Sequence, residues 1–500
     1  MQGTPPIQKM RILNNFIGGE WRESTGGRVK DLNPADVTDV IAEAPASTAS
    51  EAAEACDAAL RAFEGWRQTP APVRGQLLFK VQRRMEERRQ ELAEALTREE
   101  GKTLAESRGE VQRAINVVEF FAGEARRITG ETIPSELPNN FCYTVKQPVG
   151  PVAVITPWNF PIAIPIWKIA PALVSGNTVV FKPASLTPLT AALIVNIFEE
   201  CGLPPGVLNL VFGGGREVGD TIVRHPAVLA VSFTGSNDVG TGLYGAAAAR
   251  GIKCQCEMGG KNPIVVLGDA DLDLAIESTV QGAFGSTGQR CTATSRAVVV
   301  DAVANEFVER LAARTASLVV GNGLHPTTNV GPSVDERQLE TVLGYVATGK
   351  HEGAKLVRGG ERMNDDGRDR GYFVAPAIFD HVDPNMRIAQ EEIFGPVLSL
   401  IRVPDTASAL TVANGVRFGL SASVYTSDVA SMFRFVDRLD AGIIHVNSPT
   451  VGGEAHIPFG GMKATGVGLR EMGRVAIDFY TELKVVYVDY TGGARKTNLY

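Results

Sequence analysis

Cysteine is scarce in this sequence, with six residues among 500, and the cysteines follow no repeated spacing. They stand at positions 56, 142, 201, 254, 256 and 291. A disulfide framework places its cysteines densely and at regular spacings. The scarcity therefore excludes such a framework and predicts a protein of the reducing cytoplasm.

An excess of basic residues is also missing, since 49 lysines and arginines stand against 56 acidic residues, for a formal net charge of −7. Nucleic acids and anionic membrane surfaces attract basic patches. The charge balance argues against both as the main partner and favours a small molecule.

The sequence has no long uninterrupted hydrophobic run. Its most apolar stretch, residues 152–181, contains four prolines and a central Lys168, which argues against a membrane span. The start MQGTPPIQKMRILNN has no apolar segment typical of a secretion signal. No internal repeat or low-complexity linker divides the chain.

Apolar residues make up 44% of the chain, and 500 residues exceed what one core usually supports. An entry strand pair in NNFIGGEW is followed by three predicted helices before residue 128, the second covering 74–101. Strands and helices alternate from residue 148, and a second such unit begins near 260. This order predicts an α/β fold with parallel sheets. The tail FYTELKVVYVDYTGG alternates like an edge strand and predicts an oligomer.

Cys291 stands on a turn of small residues, in FGSTGQRCTATSR, just before an apolar run. A partly exposed thiol on such a turn can act as a nucleophile, because backbone N–H groups can stabilise its thiolate. The neighbouring Arg290 could lower the thiol pKa or hold an anionic substrate. The alternative is a cysteine that fills a small apolar space.

Glu257 ends a short strand just before Gly259 and Gly260. A carboxylate beside glycines could move and serve as a base in two steps. A solvated surface glutamate is the alternative. Cys254 and Cys256 form a C-x-C pair that lacks a second ligand cluster, so we expect them to line a strand and we expect no metal site.

The motif VSFTGSNDVG places Gly235, Ser236 and Gly240 where a strand passes into a helix. Helix N-terminal amides at this point suit a diphosphate, although the motif is not the dinucleotide fingerprint and could be a simple turn. In FKPAS, Lys182 and Ser185 follow the preceding strand and could meet ribose hydroxyls or a phosphate.

ITPWNFP presents Asn159 at the end of a strand. Its amide could donate to a developing oxyanion, or it could form an Asx turn before the proline. The glycine-rich loops EEIFGPV and PFGGMKATGVGLREMG have a purpose that periodicity does not reveal.

Together these stretches resemble the NAD(P)-dependent aldehyde dehydrogenases along almost the whole chain. The resemblance rests on PWNFP, GNTVVFKPA, FTGSNDVG, EMGGKNP, GQRCT and EEIFGPV in the family's order, with PFGGMKATGVGLREMG after them. It implies a Rossmann-like cofactor domain, an α/β catalytic domain and a small β oligomerisation arm. The implied boundaries are 1–128 and 148–258 for the cofactor domain, 259–477 for the catalytic domain, and 129–147 and 478–500 for the arm. A homodimer or homotetramer is expected.

The resemblance also implies roles for single residues. Cys291 would attack the aldehyde carbon, and Asn159 with the Cys291 N–H would hold the oxyanion. Glu257 would activate the water that hydrolyses the thioester. The implied cofactor contacts are Trp158, Lys182, Ser185, Gly235, Ser236, Gly240, Glu392 and Phe394.

Ser185 departs from the family pattern, because many NAD-preferring members carry a glutamate there. A glutamate would repel a 2′-phosphate, and serine removes that repulsion. The cofactor is therefore expected to be NADP or NAD, with NADP favoured.

The motifs look most like those of members that oxidise semialdehydes carrying a carboxylate, such as 2-oxoglutarate semialdehyde. Arg290 could pair with that carboxylate, or it could only brace its loop. Phe160, Ile164 and Trp167, at helix-like spacing, would form an apolar tunnel for the methylenes.

Two other functions stay open. In a coenzyme A-acylating semialdehyde dehydrogenase the coenzyme thiol replaces water, and Glu257 argues against this because acylating members generally lack that base. A catalytically silent structural relative would have lost the nucleophile or the oxyanion donor, yet Cys291 and Asn159 are both present.

Overall fold

The structure is a computed structural model that describes residues 10–494. The first nine residues of the expected cofactor domain and the last six of the expected arm lie outside the described residues. The strands are β1 Arg11–Ile12, β2 Asn15–Ile17, β3 Glu20–Arg22, β4 Arg28–Asn33, β5 Asp36–Pro45, β6 Thr132–Ile133, β7 Asn140–Pro148, β8 Pro151–Ile155, β9 Thr178–Lys182, β10 Leu208–Leu210, β11 Ala230–Thr234, β12 Lys253–Glu257, β13 Asn262–Val266, β14 Thr294–Val300, β15 Lys355–Arg358, β16 Ala377–Asp380, β17 Val397–Val403, β18 Phe418–Gly419, β19 Ser421–Tyr425, β20 Ile443–Val446, β21 Met462–Lys463, β22 Gly466–Val467 and β23 Thr481–Asp489.

The helices follow the same numbering along the chain. They are α1 Ala49–Gln68, α2 Ala71–Glu87, α3 Arg89–Glu100, α4 Leu104–Glu124, α5 Ala163–Val174, α6 Pro188–Glu200, α7 Asp220–Arg224, α8 Asn237–Ala249, α9 Leu272–Phe284, α10 Asp301–Ala316, α11 Glu336–His351, α12 Arg387–Gln390, α13 Thr406–Asn414, α14 Val429–Arg438 and α15 Ala476–Phe479. A π-helical turn covers Gly215–Gly219, and 3₁₀ turns cover Gly285–Gly288 and Arg368–Arg370.

The first large sheet has the strand order β22-β12-β11-β8-β9-β10-β2-β3. Its strands β8 to β12 run parallel, and helices connect them as the alternating sequence pattern predicts. The pairing aligns Ile155 with Lys182 and Thr234 with Glu257, so these strands end at one edge of the sheet. Ligands of open α/β sheets bind beyond this edge.

The second large sheet has the order β15-β16-β17-β14-β13-β19-β20, and all its neighbours except β15 pair in parallel. The turn that leads into β14 carries Cys291. Both sheets have helices packed against them, and this confirms the expected α/β fold class.

A three-stranded sheet, in the order β23-β7-β6, forms the arm. β23 pairs with β7 over nine residues, from Thr481 opposite Pro148 to Asp489 opposite Asn140. Within residues 10–494 the other side of β23 has no strand partner, which confirms the edge strand predicted from the tail. One short segment crosses the expected domain boundary, because β22 lies in the range 259–477 yet pairs with β12 of the first sheet.

The N-terminal region differs from the sequence prediction in two ways. The helix predicted over 74–101 is two helices, α2 and α3, because Arg88 has non-helical backbone angles and its guanidinium bonds to Glu91, Asn196 and Glu200. Strands β1, β5 and β4 form a separate small sheet that the sequence analysis did not predict.

The apolar stretch 152–181 is buried inside the first domain as β8, α5 and β9. In residues 10–494 we find no helix with the length and apolarity that a membrane crossing requires. Lys168 within this stretch is fully buried and forms an ion pair with the equally buried Glu471. The Glu471 carboxylate also accepts a hydrogen bond from the Trp167 indole at 2.7 Å, and Lys168 donates to the Ser232 hydroxyl at 3.0 Å.

We predict that Lys168→Met destabilises the protein by ~3–5 kcal/mol, because it leaves the Glu471 carboxylate buried without its cation. The measurement is the thermal unfolding midpoint beside that of Arg310→Met. Arg310 pairs with Glu306 and with Asp273 at the surface, and losing such an exposed pair costs at most about 1 kcal/mol. Equal midpoints for the two variants would contradict the importance of the buried pair.

Candidate active site

The turn that presents Cys291 has an unusual backbone. Ser286 and Thr287 have φ values of 46° and 57°, in the left-handed region that non-glycine residues rarely adopt. The turn is held by the Asn262 amide, which donates to the Cys291 carbonyl at 2.8 Å, and by Thr450, which donates to the Thr292 carbonyl at 2.8 Å. These bonds hold Cys291, the candidate nucleophile, on the turn that leads into β14 of the second sheet.

Cys291 is half-buried where it lines the cleft described below. Burial raises its pKa to about 12, and the nearby carboxylates of Glu392 and Glu257 act in the same direction. The guanidinium of Arg113 lowers it. A thiolate at this position therefore depends on a base that removes the proton and on the Arg113 charge.

Arg290, expected beside the thiol, points elsewhere. Its Nη2 donates to Ser286 at 2.8 Å and forms an ion pair with Glu106 at 3.2 Å. Glu106 also accepts from the Ser286 N–H, so the arginine and the glutamate together brace the turn. The sequence analysis considered that Arg290 could lower the pKa of the Cys291 thiol. In the structure the charge of Arg113 has this effect, and Arg290 braces the turn.

Asn159 is buried beside the same turn. Its side-chain Nδ2 donates to the Gln289 carbonyl at 3.0 Å, two residues before Cys291. Its own carbonyl accepts a hydrogen bond of 2.6 Å from Lys102, which is paired with Glu110. The structure therefore brings this amide and the cysteine together, as the sequence predicts.

Glu257 ends β12 and is buried, with no hydrogen-bond partner for its Oε2. Burial raises the pKa of this carboxyl well above its usual value, and the charge of Glu471 adds to the rise. A Cβ at Gly460 would overlap its carboxylate, so only a glycine leaves room there. A raised pKa makes the ionised carboxylate a stronger base, and its free oxygen is available to a proton donor.

A cleft of about 800 Å³ lies at the carboxyl edge of the first sheet and extends to Cys291. Nine of the candidate site residues from the sequence analysis line it: Trp158, Asn159, Ile164, Lys182, Gly235, Ser236, Cys291, Glu392 and Phe394. Six others lie outside its lining: Glu257, Ser185, Gly240, Phe160, Trp167 and Arg290. The cleft has the size and position of a dinucleotide site.

Ser236 is the N-cap residue of α8, and its hydroxyl makes no capping bond to the helix. This leaves the hydroxyl and the first amides of α8 facing the cleft, which suits a diphosphate. Gly240 has a different use from the one expected: a Cβ there would meet the Met258 sulfur at 2.6 Å, so the glycine permits close packing of α8 on β12.

The far end of the cleft contains cations. Lys182 is buried, and burial lowers its pKa to about 8. Ser185 is exposed nearby and donates to the Gly213 carbonyl at 3.3 Å. The sequence analysis missed Arg216 and Arg224, which line this end of the cleft. Both arginines lie in the helical stretch 215–224, and their spacing along it could have indicated that they line the cleft.

The middle of the cleft is bounded by Glu392, Trp158 and Phe394. Glu392 accepts from the Gly260 N–H at 2.9 Å, and burial raises the pKa of its carboxyl to about 7. Trp158 and Phe394 meet edge to face with ring centroids 5.3 Å apart. Phe394 has a φ of 58°, a strained backbone that is typical of functional sites.

Two aromatic side chains, Trp167 and Phe459, belong to the core against which Cys291 packs. Trp167 and Phe459 stack with centroids 5.4 Å apart, and Arg113 lies over both rings, 5.1 Å from Trp167 and 6.0 Å from Phe459. Phe160 and Cys291 pack against the same core. The sequence analysis placed Phe160 at helix-like spacing with Ile164 and Trp167. Phe160 does not belong to their helix, because α5 begins only at Ala163.

Arg113 and Phe459 are two residues that the sequence analysis missed. Arg113 lies within the regular helix α4, so its periodicity resembles that of any surface arginine, whereas Phe459 was visible in the PFGG motif.

The comparisons with known proteins agree with this geometry. The model of the aldehyde dehydrogenase family matches residues 21–486. The chain is 49% identical to the alpha-ketoglutaric semialdehyde dehydrogenase of Bacillus subtilis over 96% of this chain and 99% of that protein. It is 45% identical to the 2,5-dioxopentanoate dehydrogenase of Saccharolobus solfataricus over 94% of this chain and 98% of that protein.

Among solved structures, the chain resembles betaine aldehyde dehydrogenase from Staphylococcus aureus in complex with NAD⁺. The two share 35% sequence identity with a TM-score of 0.94, over 97% of this chain and 96% of that chain. Family model, relatives and structure all extend over nearly the full length. The chain belongs to the aldehyde dehydrogenase family.

Proposed function

We propose that this enzyme oxidises a small aliphatic semialdehyde with a distal carboxylate to the corresponding acid, with Cys291 as the nucleophile. The observation that carries the proposal is the meeting of Cys291, Asn159 and Glu392 in one cleft. The family assignment supports the reaction type, and the semialdehyde dehydrogenases among the relatives support the substrate class.

Proton removal from Cys291 is the first task of the site. Glu257 acts on the thiol electrostatically, and its carboxyl has a raised pKa and a free oxygen. The carboxylate assists the departure of the thiol proton to solvent, and the resulting thiolate is stabilised by Arg113. Glycines at positions 460 and 466 lie against the carboxylate and give it room to move.

Attack of the thiolate on the aldehyde carbon gives a thiohemiacetal oxyanion. The second N–H of the Asn159 amide and the Cys291 backbone N–H are the donors for this charge, and the buried position of Asn159 strengthens them. Asn159 is fixed by its bond to Gln289, so little reorganisation is needed.

The cleft residues fit a nicotinamide dinucleotide. The free N-terminus of α8 at Ser236 suits the diphosphate, and Gly259 lies so close to Glu392 that a Cβ would overlap its carboxylate. Glu392 is thereby held in place to receive ribose hydroxyls. A nicotinamide held by these residues would supply the acceptor for the hydride of the substrate carbon.

The thioester on Cys291 is then hydrolysed. Glu257 takes a proton from water as the water oxygen attacks the thioester carbon; the C–S bond breaks, the acid is released, and the proton passes from Glu257 to the Cys291 sulfur. The presence of this base favours water over coenzyme A as the acceptor, and the complete set of Cys291, Asn159 and Glu257 argues against a silent relative.

The distal carboxylate of the substrate is assigned to Arg113. Among the described residues Arg113 has no carboxylate partner, its Nε has no hydrogen bond, and it acts electrostatically on the thiol. Arg290, the residue first expected in this role, is already paired with Glu106.

NADP is proposed as a cofactor alongside NAD. Ser185 brings no negative charge to the adenosine end of the cleft, where Lys182, Arg216 and Arg224 supply cations for a 2′-phosphate.

A homodimer or homotetramer is the proposed assembly. β23 and β20 are outer strands of their sheets, and Leu483, Val485 and Tyr487 on β23 are exposed. Exposed apolar edge strands invite pairing with another chain.

Glu257→Gln is expected to release about one equivalent of reduced cofactor per site quickly and then to turn over about 10²–10⁴-fold more slowly, since hydrolysis loses its base. Rapid-mixing absorbance measures the burst, with the exposed Glu454→Gln as the control. Normal turnover without a burst would remove Glu257 from the mechanism.

Ser185→Glu is expected to shift the ratio of kcat/KM for NADP and NAD about tenfold toward NAD, because the new carboxylate repels the 2′-phosphate. Ser317→Glu adds the same charge at an exposed position outside the cleft and is the matched control. An unchanged ratio in Ser185→Glu would show that the discrimination lies elsewhere.

Arg113→Met is expected to lower the preference for succinic semialdehyde over butanal by about tenfold or more, because a charge-assisted hydrogen bond is lost. The ratio of kcat/KM values cancels any change in thiol reactivity that affects both aldehydes. Arg290→Met is the control and should keep the preference. Loss of the preference in the control instead would return the anchor to Arg290, and a wild type without any preference would contradict the proposed substrate.

A further inference from the structure

Two thiols outside the cleft lie in contact. Cys254 and Cys256 project from the same face of β12, and their sulfur atoms are 3.6 Å apart. Cys256 is fully buried beneath α8, and Cys254 is half-exposed. Glu257, the proposed base, is the next residue in the chain.

The two thiols differ in acidity. The hydrogen bond between the two thiol groups lowers the pKa of Cys254, while the same bond and burial raise the pKa of Cys256. Cys254 is thus the more reactive and the more accessible thiol, and Cys256 is a nearby protonated partner. This is the arrangement of an attacking and a resolving cysteine.

The pair lacks the ligands of a metal site. Across residues 10–494 no group of three or more His, Cys, Asp or Glu side chains is placed to hold an ion. Structural zinc needs four ligands, so two thiols are insufficient. Two thiols are sufficient for a two-electron oxidation.

We propose that Cys254 and Cys256 form a modification site at which a hydroperoxide produces a disulfide and slows the enzyme. The Cys254 thiolate attacks the peroxide oxygen, breaks the O–O bond and becomes a sulfenic acid, with hydroxide or alkoxide as the leaving group. The Cys256 sulfur then attacks the Cys254 sulfur, an S–S bond forms, and the sulfenic oxygen leaves as water with the thiol proton. Two thiols are oxidised and one hydroperoxide is reduced.

The disulfide distorts β12. In an extended strand the Cα atoms of residues two apart are about 6.6–6.8 Å apart, which is the upper end of the range that a disulfide spans. Closing the sulfur atoms to about 2.0 Å therefore bends the strand at Gln255. Gln255 donates to Ser232 at 2.9 Å and to Glu471 at 3.4 Å, on the face where Glu257 is buried.

The disulfide slows turnover because Glu257 directly follows Cys256 in the chain. This step rests on the proposed role of Glu257 as the base for thioester hydrolysis. A displaced base slows hydrolysis of the thioester, and general-base catalysis contributes about 10²–10⁴-fold. We expect the oxidised enzyme to lose at least about tenfold in steady turnover while it keeps the first burst of reduced cofactor.

Mass spectrometry tests the chemistry without any assumption about catalysis. Trypsin cleaves after Lys253 and Lys261, so one peptide, CQCEMGGK, contains both thiols and no other cysteine. After hydrogen peroxide treatment of full-length Cys291→Ser enzyme, this peptide should lose two hydrogens and regain them with dithiothreitol. A peptide that stays reduced, or that carries only sulfinic or sulfonic acid, would overturn the proposal.

The activity arm uses the enzyme with Cys291 intact. Cys254→Ser and Cys256→Ala should both lack the part of the peroxide inactivation that dithiothreitol reverses, while Cys201→Ser, another half-exposed cysteine, should keep it. If the disulfide forms and all variants respond alike, the site does not control the rate and the proposal fails in that part. If Glu257→Gln has shown no burst, the proposed mechanism fails independently of the disulfide.

Discussion

The burial of ionisable groups around Cys291 is the constraint on which the rest of this site depends. A thiol, two carboxyls and a guanidinium, each buried or half-buried, share one region, and burial raises the pKa values of Cys291, Glu257 and Glu392 while it lowers that of Arg113. In such surroundings an isolated charge is costly, so a thiolate forms only when its proton has an acceptor and its charge has a partner. The reaction needs both conditions, and the fold provides both from separate elements.

Two α/β units meet to satisfy this constraint. The first sheet brings Glu257 and Lys182 to its carboxyl edge, and the second brings Cys291 on a strained turn. Buried ion pairs hold the surroundings: Lys168 with Glu471 lies behind the base, and Lys102 with Glu110 lies behind Asn159. Gly460 lies against the Glu257 carboxylate, and Gly259 lies against the Glu392 carboxylate. A Cβ at either glycine would overlap the neighbouring carboxylate, so the two carboxylates need glycine at these positions.

Much of the architecture is readable from the sequence, because strand and helix alternation and strand-end motifs are local signals. The α/β fold and the edge strand of the tail follow from such patterns, and the meeting of Cys291 with Asn159 is implied by the resemblance to the aldehyde dehydrogenases. Contacts between distant elements are not readable in this way. Arg290 is adjacent to Cys291 in the chain, yet its guanidinium pairs with Glu106 of α4, whereas the charge of Arg113 from that same helix lowers the pKa of the thiol. Gly240 fits a phosphate motif but makes room for Met258. The break at Arg88 also depends on a partner far along the chain, in α6.

The central claim is that this half-buried cysteine forms the covalent bond to the aldehyde. Its most direct test is absorbance at the reduced-nicotinamide band when wild type and Cys291→Ser are each mixed with cofactor and succinic semialdehyde, with and without coenzyme A. The account predicts coenzyme A-independent formation of reduced cofactor by the wild type and a loss of more than about 100-fold in the variant, or about 2.7 kcal/mol of barrier. A variant that keeps more than about one hundredth of the rate, or a wild type that requires coenzyme A, would contradict it.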